Sequence, residues 1–339
     1  MNIDSSLIKI DPKTKKPIYK QIQDCIIDGI IAGKITRHQK LPSINQISEK
    51  LDLSRDTVVK AYYQLRDKGI IASTHGKGFY IFSTNTKQNL KIFLLFNEMN
   101  EYKKVLYNSL MSHFHRNVIV DTFFHNHNPK IFERLILDNI GNYNHFIIIP
   151  TFYRYEKKIL KTLKQIPPDR LLILDRPMKK LDCAMVYQNF ESDIFYGMEK
   201  AKEHLKKYKR ITGVFTSKTL HPEEAIDGLK KFCEKYDFKF RLIDQINSRL
   251  LNENEVYITF QNEDLIKLLN FAKKKKLQPG KDLGVISYND SQLKEVIRDG
   301  ISVISTDFKS MGKTAAELIL KQKRDQISNP FYFKARNSI

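Results

Sequence analysis

Residues 41–70 read LPSINQISEKLDLSRDTVVKAYYQLRDKGI, and two serines punctuate the stretch. Ser43 stands where it can cap a helix carrying Ile44, Ile47 and Leu51, and Asp52 stops that helix. After a short turn, Ser54 can cap a second helix whose Val58, Ala61, Tyr62 and Leu65 share one face. Two short helices joined by so tight a turn read as a helix-turn-helix. Upstream, Pro17 opens a helix with Ile18, Ile22, Ile26 and Ile30 at steps of four, ending near Gly33. Downstream, Gly69 ends the last helix, residues 70–73 read as a strand, His75-Gly76-Lys77-Gly78 as a glycine-permitted turn, and residues 79–82 as the returning strand. This hairpin is the wing of a winged helix-turn-helix, a device that places one helix in the DNA major groove.

On the third helix, a rotation of about 100 degrees per residue puts Asp56, Lys60, Tyr63 and Gln64 opposite the apolar face, with Thr57 on its flank. Arg55 lies in the first turn, where a long side chain can swing past the helix end to phosphate or to guanine O6 and N7. At the hairpin tip, Gly76 between His75 and Lys77 lets the backbone approach a phosphate or the minor groove without a Cβ clash.

The segment closely resembles the winged helix of the GntR family of bacterial transcription regulators. The resemblance is carried by Pro17-Ile18-Tyr19, Gln21-Ile22, Gly33, Leu41-Pro42-Ser43, Ser54-Arg55-Asp56-Thr57-Val58, Ala61-Tyr62, Leu65, Gly69-Ile70-Ile71 and Gly76-Lys77-Gly78. It implies operator DNA as a partner and a DNA-binding set of Ser43, Asn45, Ser54, Arg55, Thr57, Lys60, His75, Gly76 and Lys77. Asn45 is a departure. The family usually has an arginine at that place, so an amide contact stands where a guanidinium contact is expected.

The rest of the chain has a different rhythm. Short apolar runs at 92–96, 119–124, 146–149, 171–174, 211–215, 256–260, 283–286 and 301–304 alternate with amphipathic stretches, the pattern of βαβ units around parallel sheets. The polar stretch before them reads as a linker, giving a DNA-binding domain at 1–84, a linker at 85–90 and a second domain at 91–339. The expected fold class is α/β, a winged helix-turn-helix followed by two doubly wound parallel-sheet lobes. From residue 186 onward the chain resembles the periplasmic-binding-protein-like sensor of LacI-type repressors. Asp193, His204-Leu205, Arg210-Ile211-Thr212-Gly213-Val214, Gly228, Asn262-Glu263, residues 283–290, residues 301–304 and Met311-Gly312-Lys313-Thr314-Ala315-Ala316 carry that resemblance.

It implies a small ligand held between two lobes at the carboxyl ends of the strands, where polar residues following strands become contacts. The effector-binding candidates are Asn97, Glu98, Phe152, Tyr153 and Arg154 in the first lobe, with Asp175, Arg176, Gln188, Asp193, Asn262, Asn289 and Asp290 further on. Asn189 and Glu263 occupy the same kind of place. Carboxylates, amides and aromatic faces together suit vicinal hydroxyls, so a sugar is the expected effector. LacI-type sensors often carry an arginine where this chain has Ala225, so the hydroxyl clamp falls to another cation, Arg154 or Arg176.

The formal net charge of +20 agrees with a nucleic-acid partner without deciding it, because it is spread along the chain. Residues 1–84 carry 14 Lys+Arg against 8 Asp+Glu, and the remaining 255 carry 44 against 30. No apolar run approaches the roughly 18 residues of a membrane span, and the first residues lack the pattern of a signal peptide, so a cytoplasmic protein without a membrane partner is expected. Cys25, Cys183 and Cys233 lack metal or redox spacing. The pairs His113/His115 and His125/His127 show no third ligand, so no metal is expected. Gly312-Lys313-Thr314 ends like a phosphate-binding loop, but Asp307 occupies its first glycine, and no cofactor is expected. The whole predicts a homodimeric regulator whose operator affinity answers to a sugar. A non-sugar effector and an enzyme with a fused winged helix are the alternatives.

Overall fold

The computed structural model describes all residues except 1, 2, 5, 6, 13, 15, 75–77, 85–89, 115–117, 141, 154–156 and 217–222, and the side chains of 67 and 74. The chain divides into two compact units, Met1–Asn89 and Leu90–Ile339. The expected linker, apart from Leu90, lies outside the described residues.

In the first unit, helices α1 (Ile18–Ile31), α2 (Ile44–Leu51) and α3 (Arg55–Asp67) precede strands β1 (Ile71–Thr74) and β2 (Gly78–Ile81). The strands pair antiparallel, Ile71 opposite Ile81 and Thr74 opposite Gly78, each one residue away from its expected bounds. Ile22, Ile26 and Ile30 of the α1 stripe close on Ile47, Val58, Ala61, Tyr62, Leu65, Ile71 and Ile81, all buried, while Ile18 in the first turn stays exposed. Tyr62 is the largest of these, and its hydroxyl donates to the Pro42 carbonyl at 2.8 Å. That bond ties the core of α3 to the segment that starts α2. Gly69 ends the α3 turn at φ +66°, a conformation that favours glycine.

The second unit contains two sheets. The first lobe holds β3 (Leu90–Phe96), α4 (Glu101–His113), β4 (Val118–Phe124), α5 (Pro129–Leu137), β5 (His145–Ile148), α6 (Lys157–Leu163), β6 (Leu171–Asp175) and β7 (Ala184–Tyr187). The chain then enters the second lobe with α7 (Phe190–Leu205), β8 (Arg210–Val214), α8 (Glu224–Lys235), β9 (Lys239–Ile243), β10 (Glu255–Thr259), α9 (Asn262–Lys274), β11 (Gly284–Tyr288), α10 (Gln292–Val296) and β12 (Ser302–Thr306). It returns to the first lobe for α11 (Phe308–Leu320) and β13 (Gln326–Ser328), and closes in the second with β14 (Phe331–Lys334). The sheet orders are β13-β7-β6-β5-β3-β4, all parallel, and β14-β12-β11-β10-β8-β9, with β14 antiparallel to its neighbour.

Each of the eight apolar runs lies in or against a strand, and β7 adds a strand at 184–187. Strands β9, β13 and β14 were not legible. They are short or broken by charged and polar residues, so no apolar run of four or more marks them. Helices α7 and α8 approach backbone to backbone, because a Cβ on Gly228 would lie 2.2 Å from the Glu191 carbonyl oxygen. Cys183 and Cys233 are buried and burial pushes both thiols up to about 12, in keeping with inert core residues.

A histidine also sits inside the first lobe's core. His125, wholly buried, stacks on Phe152 with centroids 4.5 Å apart and meets Phe132 edge-on. Its Nε2 donates to the Ile149 carbonyl at 3.1 Å, while burial pushes the imidazole down to about 4.

Two outcomes follow from this packing. Gly228→Ala should destabilise the second unit by about 1–3 kcal/mol, since backbone must move to admit the methyl; urea unfolding that matches wild type would remove the close-approach argument. The unfolded chain binds the His125 proton more readily than the folded one. The neutral form's contribution is therefore complete above about pH 6.5 and is lost as the pH falls through about 4, on the order of 3 kcal/mol. Urea unfolding of wild type and His125→Phe across that range should show a steeper acid loss for wild type, and equal slopes would contradict it.

Candidate functional site

Two surfaces have functional composition, one in each unit. On the first, Ser43 and Ser54 behave as caps. Ser43 Oγ accepts from the Gln46 N–H at 3.2 Å while Gln46 Oε1 accepts from the Ser43 N–H at 2.8 Å, a reciprocal capping box. Ser54 Oγ accepts from the Thr57 N–H at 3.3 Å and shares a hydrogen bond with Thr57 Oγ1 at 2.7 Å. These hydroxyls set the helix ends first, so any DNA contact uses only their remaining capacity.

Asn45, Arg55, Asp56, Lys60 and Tyr63 are exposed. Lys60 Nζ rests 4.3 Å from the Tyr19 ring centroid, and Arg66 lies 4.3 Å over Tyr63. Gln64, expected to face the groove, turns to α1, where it accepts from Gln23 Nε2 at 2.7 Å. Gln23 also accepts from Lys68 Nζ at 3.2 Å, so the amide pair braces α3 against α1. The angular reading placed Gln64 opposite the core because a helical wheel does not see the neighbouring helix. His75, Gly76 and Lys77 lie outside the described residues.

The second surface is a cavity of about 330 Å³ between the lobes, at the carboxyl ends of their strands. Of the expected effector residues, Asn97, Glu98, Tyr153, Asp175, Arg176, Gln188 and Asn289 line it, as does Glu263. Phe152 faces away and packs on His125 in the core. Asp193 is the acceptor for the Asn189 N–H at the start of α7, at 2.8 Å, and burial pushes its carboxyl up to about 6. Asn262 is the first residue of α9, and its neighbours Gln261 and Glu263 line the cavity instead. Asp290 turns to Arg336, 2.8 Å away. Arg154 lies outside the described residues, and Ala225 is buried in the α8 core.

The polar network of the cavity is specific. His127 Nδ1 lies 3.1 Å from the Thr151 carbonyl and must donate to it, which leaves Nε2 facing Glu98 Oε2 at 3.2 Å. Lys103 Nζ stands 3.8 Å from the other Glu98 oxygen. Burial pushes the Lys103 amine down, and the Asp175 and Glu98 carboxylates oppose it. Asp175, in the left-handed region at φ +74°, accepts from Gln188 Nε2. Gln188 Oε1 in turn accepts from the Tyr288 hydroxyl at 3.0 Å, so a hydrogen-bonded chain crosses from the first lobe to the second. Tyr102 and Phe308 stack at 5.4 Å on the cavity wall, and burial pushes the Tyr102 hydroxyl up to about 12.

Three buried oxygens in this lining, Asn97 Oδ1, Thr151 Oγ1 and Asn289 Oδ1, have no hydrogen-bond partner among the described residues. Buried polar atoms are rarely left so, and three converging on one cavity form a polar cradle for a ligand or for water.

Asn100, Tyr102, Lys103, Thr151, Phe190, Gln261, Tyr288 and Phe308 also line the cavity and were missed. Tyr288 ends a strand, while Tyr102, Lys103, Phe190 and Phe308 sit in the first turns of helices that follow strands or lobe crossings. The usable signal was the helix start one step beyond each strand end.

Comparison with known proteins agrees with this division. Residues 18–81 match the family described as bacterial regulatory proteins, gntR family. The transcriptional repressor YtrA of Bacillus subtilis is 37% identical over 84 residues, covering 25% of this chain and 64% of that protein. The regulator Rv1152 of Mycobacterium tuberculosis is 28% identical over 74 residues, covering 22% of this chain and 61% of its own. The matched stretch thus spans less than two thirds of these curated relatives. Among solved structures, the trehalose repressor of Escherichia coli aligns over 73% of this chain and 100% of its own with a TM-score of 0.60 at 11% identity. Residues 18–81 are a GntR-type helix-turn-helix domain, and two parallel-sheet lobes with the fold of LacI-type, periplasmic-binding-protein-like structures follow it.

Proposed function

We propose that this protein is a sequence-specific DNA-binding transcription regulator whose operator affinity is controlled by a small effector, a sugar of a catabolic pathway. The observation that carries the sensing half is the set of unpaired buried oxygens, Asn97 and Thr151 on one lobe and Asn289 on the other. A polyol has the hydroxyl donors to satisfy all three at once, and bridging both walls favours the closed arrangement of the lobes. The tyrosine and phenylalanine rings at the wall suit the apolar face of a sugar ring. The Enterococcus faecium regulator solved with bound ribose, aligned over 73% of this chain at a TM-score of 0.58, supports the same direction.

In this reading the protein acts in the cytoplasm as a homodimer, with residues 1–84 on DNA, 85–90 as linker and 91–339 as sensor. Two winged helices then address half-sites about one helical turn apart. Arg55 reads a base edge or phosphate, Asn45, Lys60 and the residues 75–77 contribute the surrounding contacts, and no catalytic step is assigned to the cleft. Closure of the lobes changes the spacing of the DNA-binding units, so DNA and effector alter each other's affinity equally.

A mobility-shift assay with DNA from upstream of its own operon, with and without candidate sugars, tests the reading. Specific retardation that one sugar abolishes or strengthens is expected; retardation indifferent to sugars but sensitive to another metabolite would replace the effector class. Arg55→Ala should weaken operator binding by about 1–3 kcal/mol at fixed salt. Unchanged affinity would take Arg55 out of the reading set.

A further inference from the structure

Behind the second-lobe wall of the cavity lies a buried cation with no role in the reading above. Lys294, on α10, is 3% exposed, and its Nζ donates to the carbonyls of Tyr288 at 3.0 Å and Asn289 at 2.7 Å. Tyr288 ends β11, Asn289 follows it, and both line the cavity. Asn289 offers the unpartnered Oδ1, and Tyr288 makes the hydrogen bond that reaches Gln188. Asn289 sits at φ +61°, in the left-handed region, which a non-glycine residue holds only with local support.

The support is visible on both sides of the turn. The Asn289 N–H donates to the Ile304 carbonyl at 2.8 Å, and the Asp290 N–H to Ser305 Oγ at 3.0 Å, so the N–H groups are held by β12. The carbonyls are held by Lys294. Taking an ammonium out of water is costly unless hydrogen bonds and charges compensate it. Burial pushes the Lys294 amine down to about 8; the Asp290 and Glu101 carboxylates oppose that and Arg336 adds to it. An apolar side chain would fill the same volume without that cost and without holding either carbonyl.

We propose that Lys294 is the positioning residue of the ligand site: clamping the Tyr288 and Asn289 carbonyls, it aims the Asn289 amide into the cavity and the Tyr288 hydroxyl at Gln188. One side chain then sets both ligand recognition on the second lobe and the hydrogen bond that joins the lobes. The inference rests on the sugar-sensing reading given above.

The test is a double-mutant cycle by titration calorimetry on the full chain, with L-fucose, L-arabinose, D-xylose and D-ribose as probes. For whichever sugar binds, Lys294→Met and Asn289→Ala should each weaken binding at least about tenfold, and the double variant should be little worse than either single one. Lys294→Gln, whose amide still donates, should recover part of the loss. If Lys294→Met loses its cooperative melt, Lys294→Gln and Asn289→Ala carry the same cycle. A purely structural lysine would give losses that add in the double variant, and that result, or an unchanged affinity in Lys294→Met, overturns the role of Lys294 while leaving the sugar reading standing. Failure of the unmutated chain to bind any of the four sugars overturns the sugar reading and this inference together.

Discussion

The hydrogen bond from the Tyr288 hydroxyl to Gln188 links one sheet of the second unit to the other across the floor of the cleft. Both residues are largely buried, so the bond is made in surroundings where a hydrogen bond counts for more than it does in water. Gln188 has spent its other end on Asp175, and Asp175 is in turn pinned in a left-handed conformation at the end of β6. The chain Asp175–Gln188–Tyr288 therefore fixes the register of the two strand ends against each other. The unpaired oxygens nearby belong to residues that line the same cavity, which gives its wall a defined polar pattern and not merely a volume.

That pattern depends on topology repeated in both lobes. Each sheet starts one strand in from an edge, places its second strand on the edge side and its third on the other, and so opens a crevice between first and third strands. In the first lobe, the crevice between β3 and β5 is where Asn97 and Thr151 stand, contributed by segments more than 50 residues apart in the chain. The late returns of the chain, α11 into the first lobe and β14 into the second, knit the lobes after both sheets are laid down. The α4–α11 contact is close: a Cβ on Gly312 would come 2.6 Å from the Leu106 carbonyl oxygen, and Ser109 Oγ donates to the Lys309 carbonyl at 2.6 Å.

In the first unit the same residues serve folding and exposure in different proportions. Ser43, Ser54 and Thr57 spend their hydroxyls on helix ends, Gln64 spends its amide on α1, and Arg55 and Asn45 remain exposed. A short helix needs its cap more than a long one does, because nucleation is costly and few intrahelical bonds repay it. α2 has only eight residues, and its capping box is a substantial part of what holds it.

Local chemistry written along the chain determined the helices of the first unit, their caps, the wing strands to within a residue, and the eight strands of the lobes that carry apolar runs. Each of these depends on neighbours a few residues apart, through periodicity, capping geometry or an unbroken apolar run. Strands β9, β13 and β14 were not legible, because a strand whose apolar residues are few or interrupted by charge is defined by the partner it pairs with. The cavity was half legible for the same reason. Residues placed just after strands, such as Asn97, Asp175, Gln188 and Asn289, follow from the rule that strand carboxyl ends meet at the crevice. Asp290 was drawn off by Arg336 and Asp193 by the start of α7, while Tyr102 and Lys103 were brought in by the start of α4 and Phe308 by the start of α11 after a lobe crossing. Which polar groups are paired and which are left open is decided only when distant segments meet, since hydrogen bonds are fixed by three-dimensional distance and direction and sequence order carries neither.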